Sequence, residues 1–381
     1  MPASAPQPAL SIRWTPQGGI GARFLAFVVE QHPFAVDAAR RAVAKTGTDD
    51  VAALKRVLAA HLEEVPGGTA DLPETTPFTS AIDRMQQETA RLLASVDAFF
   101  ARAAIERSFS DDEKRAMLRG IILTRAVDNR MKHLFLSSEM KYGELGFQGK
   151  GFRSLGQEAI FAAATRLKKG PHGDVVGPLI RDLGVTLAFT DDVEMALNAQ
   201  VGKAGAPSNG KDLHLGSPEH GVVMVAAPLS IATCTVTGYA LAFHRRKEAR
   251  VAFSFIGEGG SSLGEWHEAI TLAAAMKLPC VFCVENNQTA LSTPVTQQSR
   301  VRVFADKAAG YGIPCVSVDG TDPEAIAAAF AWAAERARNG DGPALIETIA
   351  MRMAGHAHHD DMLYLGADPP LSFSLPPTPD K

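Results

Sequence analysis

The run RVAFSFI, residues 250–256, constrains the fold more than any other stretch of the chain. Its apolar side chains fall on successive positions rather than alternate ones. Successive side chains of a strand point to opposite faces, so this strand has to be covered on both. A sheet covered on both faces implies an α/β architecture, with parallel strands joined through helices. Pro279 to Val284, Pro314 to Val318 and Ala344 to Ala350 read as further short strands with helical segments between them. Ser262-Leu263-Gly264-Glu265 has capping-box spacing and predicts a helix through EWHEAITLAAAMK. Asp322 as cap, Pro323 in the first turn, and Arg336 and Arg338 in the last predict another.

The first part of the chain is helical in pattern. Amphipathic spacing runs from about Phe24 to Glu64, breaks at residues 65–77, and resumes over Ala81–Arg107 and Asp111–Leu136. The expected division is an extended arm at 1–22, a helical region at 23–120, an α/β domain at 121–365 and a tail at 366–381. The final segment, LGADPPLSFSLPPTPDK, holds five prolines and reads as extended chain. A net charge of −4, from 38 basic against 42 acidic residues, argues against binding through nucleic-acid phosphates. No stretch of ~18 apolar residues predicts a membrane span. The opening residues lack a signal peptide's basic head and apolar run, and four cysteines make no disulfide framework. These features lead to the expectation of a cytoplasmic protein.

In an open parallel sheet, ligands bind outside the carboxyl ends of the strands. Three strand ends carry polar sets: Gly257-Glu258-Gly259-Gly260, then Glu285-Asn286-Asn287-Gln288, then Met351 to Asp361 with its Arg, His and Asp residues. A dinucleotide fingerprint fails at position 262, where Ser262 stands in place of the required glycine. A longer constellation does match. Between Gly257-Glu258-Gly259 and Asn286-Asn287 lie 26 residues, the arrangement of a thiamine-diphosphate motif. Magnesium wants six oxygens in an octahedral shell and usually keeps phosphate ligands. Glu258 offers a carboxylate, Asn287 an amide oxygen and Thr289 a backbone carbonyl. The glycines permit close backbone approach to the diphosphate.

Other features have bland readings beside functional ones. Cys280 and Cys283 have CxxC spacing, but within a strand they point to opposite faces and read as core. His356, His358, His359, Asp360 and Asp361 offer transition-metal donors, or simply a polar loop. His214 fits a structural role as well as one near a cofactor. Arg245-Arg246-Lys247 reads as a solvated helix end.

The run GEGGSSLGEWHEAITLAAAMKLPCVFCVENNQTALSTP resembles the alpha subunit of the thiamine-diphosphate-dependent first, decarboxylating component of 2-oxo-acid dehydrogenase complexes. Further segments in the same order are Gly156-Gln157-Glu158-Ala159, Ile180-Arg181-Asp182-Leu183-Gly184, Ala227-Pro228-Leu229, Gly310-Tyr311-Gly312 and GHAHHDD. The resemblance covers about Ile121 to Leu365 and includes the branched-chain, pyruvate and acetoin enzymes. It implies that Glu258, Asn287 and the Thr289 carbonyl hold Mg2+, and that Arg181 faces the diphosphate. It further implies that Gly257, Glu258, Gly259, Gly260, Asn287 and His356 surround the cofactor and that Leu229 wedges beneath it. His356 would be the catalytic residue. A beta subunit, in an alpha2beta2 assembly or a fused equivalent, would supply the glutamate that activates the aminopyrimidine ring. The reaction implied is oxidative decarboxylation of a 2-oxo acid, with acyl transfer to a lipoyl-bearing acyltransferase. Ile180 replaces a tyrosine of the branched-chain enzymes, and Ala357 stands where mitochondrial relatives carry a regulated serine. Two other functions stay open: a non-catalytic or truncated paralogue acting in subunit assembly, and a split thiamine enzyme of transketolase type.

Overall fold

Helix periodicity governs the chain from about Phe24 to Glu64 and again from Ala81, because apolar side chains recur there at spacings of three and four. The computed structural model describes residues 18–63, 73–137, 139–146, 151–224 and 227–357. It falls into two compact units, one up to Ala103 and one from Ala104 onward. The first carries α1 (Ile20–Gln31), α2 (Val36–Thr46), α3 (Val51–Glu63) and most of α4 (Ala81–Arg107). Phe24 and Val28 of α1 face one way and meet Leu54 and Leu58 of α3, with Leu92, Val96, Phe99 and Phe100 of α4. Helix α1 starts inside the expected arm, and residues 1–17 of that arm lie outside the described residues, as does the Pro-rich tail.

The second unit opens with α5 (Asp111–Leu136), through which the expected boundary at 120/121 passes. Its start is a capping box: the Ser110 hydroxyl accepts from the Glu113 amide at 3.2 Å and the Glu113 carboxylate from the Ser110 amide at 2.8 Å. A small hairpin follows, β1 (Lys141–Tyr142) with β2 (Leu145–Gly146). After it come β3 (Val175–Gly177), α6 (Leu183–Thr190), α7 (Val193–Gln200), α8 (Ile231–Arg246) and β4 (Ala252–Gly257). Next are α9 (Gly264–Ala275), β5 (Cys280–Asn286), a hairpin of β6 (Thr289–Ala290) and β7 (Thr293–Pro294), and the single turn α10 (Val295–Gln298). The last elements are β8 (Cys315–Asp319), α11 (Pro323–Arg338) and β9 (Ala344–Ile349). The expected cap at Asp322 is present, accepting from the amides of Glu324 and Ala325. The expected capping box at Ser262 is not. Gly260–Ser262 forms a 3-10 turn, and α9 starts at Gly264 with Leu263 in the cap position.

Five parallel strands form the main sheet in the order β3-β4-β5-β9-β8. Parallel strands joined by right-handed crossovers need helices on both sides. On one face, Trp266 of α9 meets Phe282 edge-on, and Val236, Ala240 and Phe243 of α8 complete the layer. On the other, Phe330 of α11 stacks against Phe253 and Phe255, the alternate residues of β4. Cys280 and Cys283 are buried in β5, and burial pushes the Cys280 thiol up to about 12. No described helix is long and apolar enough to cross a membrane.

Candidate functional site

Strands β3, β4, β5 and β9 end at one rim because they are parallel and nearly in register, with Gly177 opposite Ser254, Gly257 opposite Glu285 and Asn286 opposite Ile349. Glu258 and Asn287 therefore leave adjacent strands side by side. The Asn287 backbone N–H lies near the Glu258 carboxylate and favours its charged form. Glu258 is 1% exposed, and burial pushes its pKa upward. Gln298 donates to its Oε1 at 3.2 Å, and the charge of Arg352 opposes the burial effect.

The chain turns sharply after Asn287. Gln288 adopts φ +72, a left-handed conformation that costs a non-glycine residue roughly 1 kcal/mol or more. The turn leads into β6, where Thr289 N–H approaches Asn287 Oδ1 at 3.3 Å. Arg352 is 1% exposed and binds the end of this hairpin, donating to the carbonyls of Thr289 at 3.3 Å, Leu291 at 2.5 Å and Ala354 at 3.0 Å.

A buried polar chain backs the site. Asn287 Nδ2 donates to Gln157 Oε1, and Gln157 Nε2 donates to Glu285 Oε2, both at 2.7 Å. Glu285 faces Asp182, and each keeps one oxygen for the other. Burial, reinforced by the Glu285 charge, holds Asp182 well above the ordinary carboxyl range. Two buried carboxyls in contact cannot both ionise, so one proton between them serves both.

Arg181 precedes Asp182 on the turn after β3. Its guanidinium donates to the His356 carbonyl and to His356 Nδ1, both at 2.7 Å, and to the Arg153 carbonyl at 2.9 Å. An arginine can only donate, so Nδ1 accepts and the imidazole proton sits on Nε2. Phe152 packs edge-on against the His356 ring, with centroids 5.1 Å apart. Helix α5 steadies this corner, because Asp128 binds Arg153 at 2.5 Å and accepts from Ser154 N–H at 2.8 Å. Ser154 in turn donates to the Arg181 carbonyl at 2.7 Å. Leu179 and Ile180, just before Arg181, are half-buried.

The glycines divide by what they approach. A Cβ on Gly259 would lie 2.5 Å from Ala290, and one on Gly260 would lie 2.8 Å from Ile256 and 3.5 Å from Leu229. Gly257 has nothing nearer than Leu179 at 3.8 Å, so only its face leaves room for a ligand. Leu229 stands beside this rim, 43% exposed.

The structure thus brings together Glu258, Asn287 and Thr289, and separately Arg181 with His356. His358, His359, Asp360 and Asp361 lie outside the described residues, and among those described no group of three His, Cys, Asp or Glu is disposed to hold a metal. His214 is bound by Asp212 at 2.6 Å. Sequence reasoning gave no role to Arg352, Gln298 or the Asp182–Glu285 pair. The oxygens offered by Glu258 and the adjoining turn are a carboxylate, an amide oxygen and a backbone carbonyl, a hard-oxygen set that fits a magnesium-like ion and not a soft one.

The raised carboxyls have a measurable consequence. Where a folded-state acid titrates above its unfolded value, the folded state binds the extra proton. Stability is then lost as pH rises from the ordinary carboxyl range through the raised value. The isosteric Asp182→Asn keeps a donor facing Glu285 at every pH. In the metal-free chain its melting temperature is expected to gain on the wild type as pH increases from about 4.5 to 8. Within the window the gain is on the order of 1 kcal/mol per pH unit. A difference that stays flat across this range would refute the shared proton.

A family profile described as "Dehydrogenase E1 component" matches residues 128–368. The 2-oxoisovalerate dehydrogenase subunit alpha of Bacillus subtilis is 36% identical over 66% of this chain and 74% of its own. The pyruvate dehydrogenase E1 component subunit alpha of the same organism is 35% identical over 66% of this chain. The match spans 63% of that relative, less than two thirds of its length. A transketolase mutant from Pichia stipitis overlays with a TM-score of 0.48 at 20% identity, over 70% of this chain and 43% of that one.

Proposed function

Because this chain belongs to the dehydrogenase E1 component family, we propose that it is the alpha subunit of a thiamine-diphosphate-dependent enzyme that oxidatively decarboxylates a 2-oxo acid. The observation that carries this reading is the pairing of Glu258 with Asn287 at the rim, fixed by the register of β4 and β5. In this role the Glu258 carboxylate, Asn287 Oδ1 and the Thr289 carbonyl hold Mg2+. The Thr289 carbonyl has two lone pairs, so its contact with Arg352 leaves one for the ion.

Bound thiamine diphosphate supplies the electron sink that decarboxylation needs. This chain's residues bind, orient and move a proton around it. Gly257 gives the diphosphate space, and Arg181 sets a fixed positive charge beside it. Leu229 offers an apolar edge next to Gly260 to bear against the cofactor rings. Arg181 also holds His356 in the tautomer with its proton on Nε2, so the histidine presents a donor to the reacting group. Half-buried Leu179 and Ile180 suit an apolar substrate side chain. A beta subunit completes the site with the group that faces the aminopyrimidine, and a lipoyl-bearing acyltransferase takes the acyl product.

Calorimetric titration of thiamine diphosphate with Mg2+ tests the reading. Tight binding is expected with the beta chain present and weak binding without it. Tight binding together with decarboxylation by the isolated chain would overturn the divided site.

A further inference from the structure

A carboxamide is nearly symmetric in shape, yet only its oxygen can bind a cation. Asn287 serves a metal only if some outside contact decides which end of its amide faces the ion. Thr289 N–H approaches Oδ1, but at 3.3 Å it is a weak guide. The stronger contact lies on the other side, where Gln157 Oε1 accepts from Asn287 Nδ2 at 2.7 Å.

Gln157 is an amide too, and its own direction has to be set. Glu285 sets it. Oε2 of that carboxylate accepts from Gln157 Nε2 at 2.7 Å, while its other oxygen is turned to Asp182. Any proton the carboxyl pair holds lies between Asp182 and the other Glu285 oxygen, so Oε2 has no hydrogen to give, and Gln157 must present nitrogen to it and oxygen to Asn287. Asn287 must then present nitrogen to Gln157 and oxygen to the rim. Gln157 is 3% exposed, so water does not compete for either contact.

We propose that Gln157 is a positioning residue for the metal site. It passes the polarity of the Glu285 carboxylate to the Asn287 amide and so aims Asn287 Oδ1 at the cation. This rests on the metal-site reading of Glu258 and Asn287. Residues that orient metal ligands from behind typically matter to affinity by roughly 10- to 100-fold.

The test uses Mn2+ as a spectroscopic stand-in for Mg2+, in the chain assembled with its beta subunit and saturated with thiamine diphosphate. Free Mn2+ is counted by electron paramagnetic resonance. Gln157→Leu is expected to weaken Mn2+ binding by roughly 10- to 100-fold. The paired exchange Gln157→Glu with Glu285→Gln rebuilds both hydrogen bonds with the roles reversed. The new carboxylate accepts from Asn287 Nδ2 and from the new amide at 285. This double variant is expected to bind Mn2+ at near the wild-type affinity, which a merely space-filling role for Gln157 does not predict. Wild-type affinity in Gln157→Leu overturns the proposal, and so does a double variant no better than that single one. Should Gln157→Leu fail to fold, the double variant alone decides. Absence of Mn2+ binding in the wild type removes the metal site itself, an outcome separate from failure of the Gln157 relay.

Discussion

Glu258→Gln is expected to lower turnover by roughly 10³-fold or more, the scale of losing several kcal/mol of metal-borne charge stabilisation. The metal-free chain should meanwhile be at least as stable as the wild type. The two halves follow from one observation. Glu258 is 1% exposed and burial pushes its pKa upward, so the apo fold disfavours the charge that an ion needs. An amide of the same shape carries no such penalty, and its Oε1 can still accept from Gln298. It cannot supply the negative charge that draws a divalent cation and a diphosphate into one site. Decarboxylation assayed with an artificial electron acceptor gives the first number, and thermal melts in chelator give the second. Mg2+ affinity equal to wild type in this variant would remove Glu258 from the site.

The second large effect concerns backbone. Gly156→Ala is expected to destabilise the α/β unit by about 3 kcal/mol or more. Gly156 has φ +94, and a Cβ there would lie 2.0 Å from the Met351 carbonyl oxygen and 3.0 Å from the Met353 side chain. Neither segment can retreat easily. Met353 N–H donates to the Leu155 carbonyl at 3.1 Å, and Arg352 N–H donates to the Asn287 carbonyl at 3.2 Å. The crossing that needs this glycine therefore also ties the chain after β9 to the turn at Asn287, so under the proposed function cofactor binding should weaken along with stability. Gly264→Ala is the control. It sits at the first residue of α9 with nothing near its would-be Cβ, and it should be neutral or slightly stabilising. Equal melting temperatures for the two alanine variants would mean that the close crossing is not a real constraint.

How much of this was legible beforehand depends on the range over which each feature is written. Strands β4 and β5 were readable because burial on both faces leaves a continuous apolar run, and β9 was readable from the shorter apolar stretch Ala344-Leu345-Ile346. Helices α4 and α5 were readable to their end residues from local periodicity. Strand β3, three residues long, had no run to show. The capping box expected at Ser262 failed because Ser262 is itself the last residue of a 3-10 segment, leaving Leu263 in the cap position of α9. The neighbourhood of Glu258 and Asn287 was legible for a geometric reason. A strand, one helix and the next parallel strand make a unit of nearly fixed length, so residues just past the two strand ends must meet. Gln157 and Asp182 come from segments far from Asn287 in sequence, and only the lateral order of β3, β4 and β5 gathers them. Nothing local in the chain encodes that order.

The turn after β3 carries an implication for how specificity can drift. Its two ends are anchored, Gly177 by strand pairing and Arg181 with Asp182 by hydrogen bonds to three separate segments. Between those anchors the side chains of Leu179 and Ile180 form a two-residue cassette, held through the Leu179 backbone, which is hydrogen-bonded to Asp182. Under the proposed function, exchanging that cassette would reshape the room for a substrate's tail while the ion clasp and the proton donor stay where they are. A family built on this scaffold can explore new acids two codons at a time.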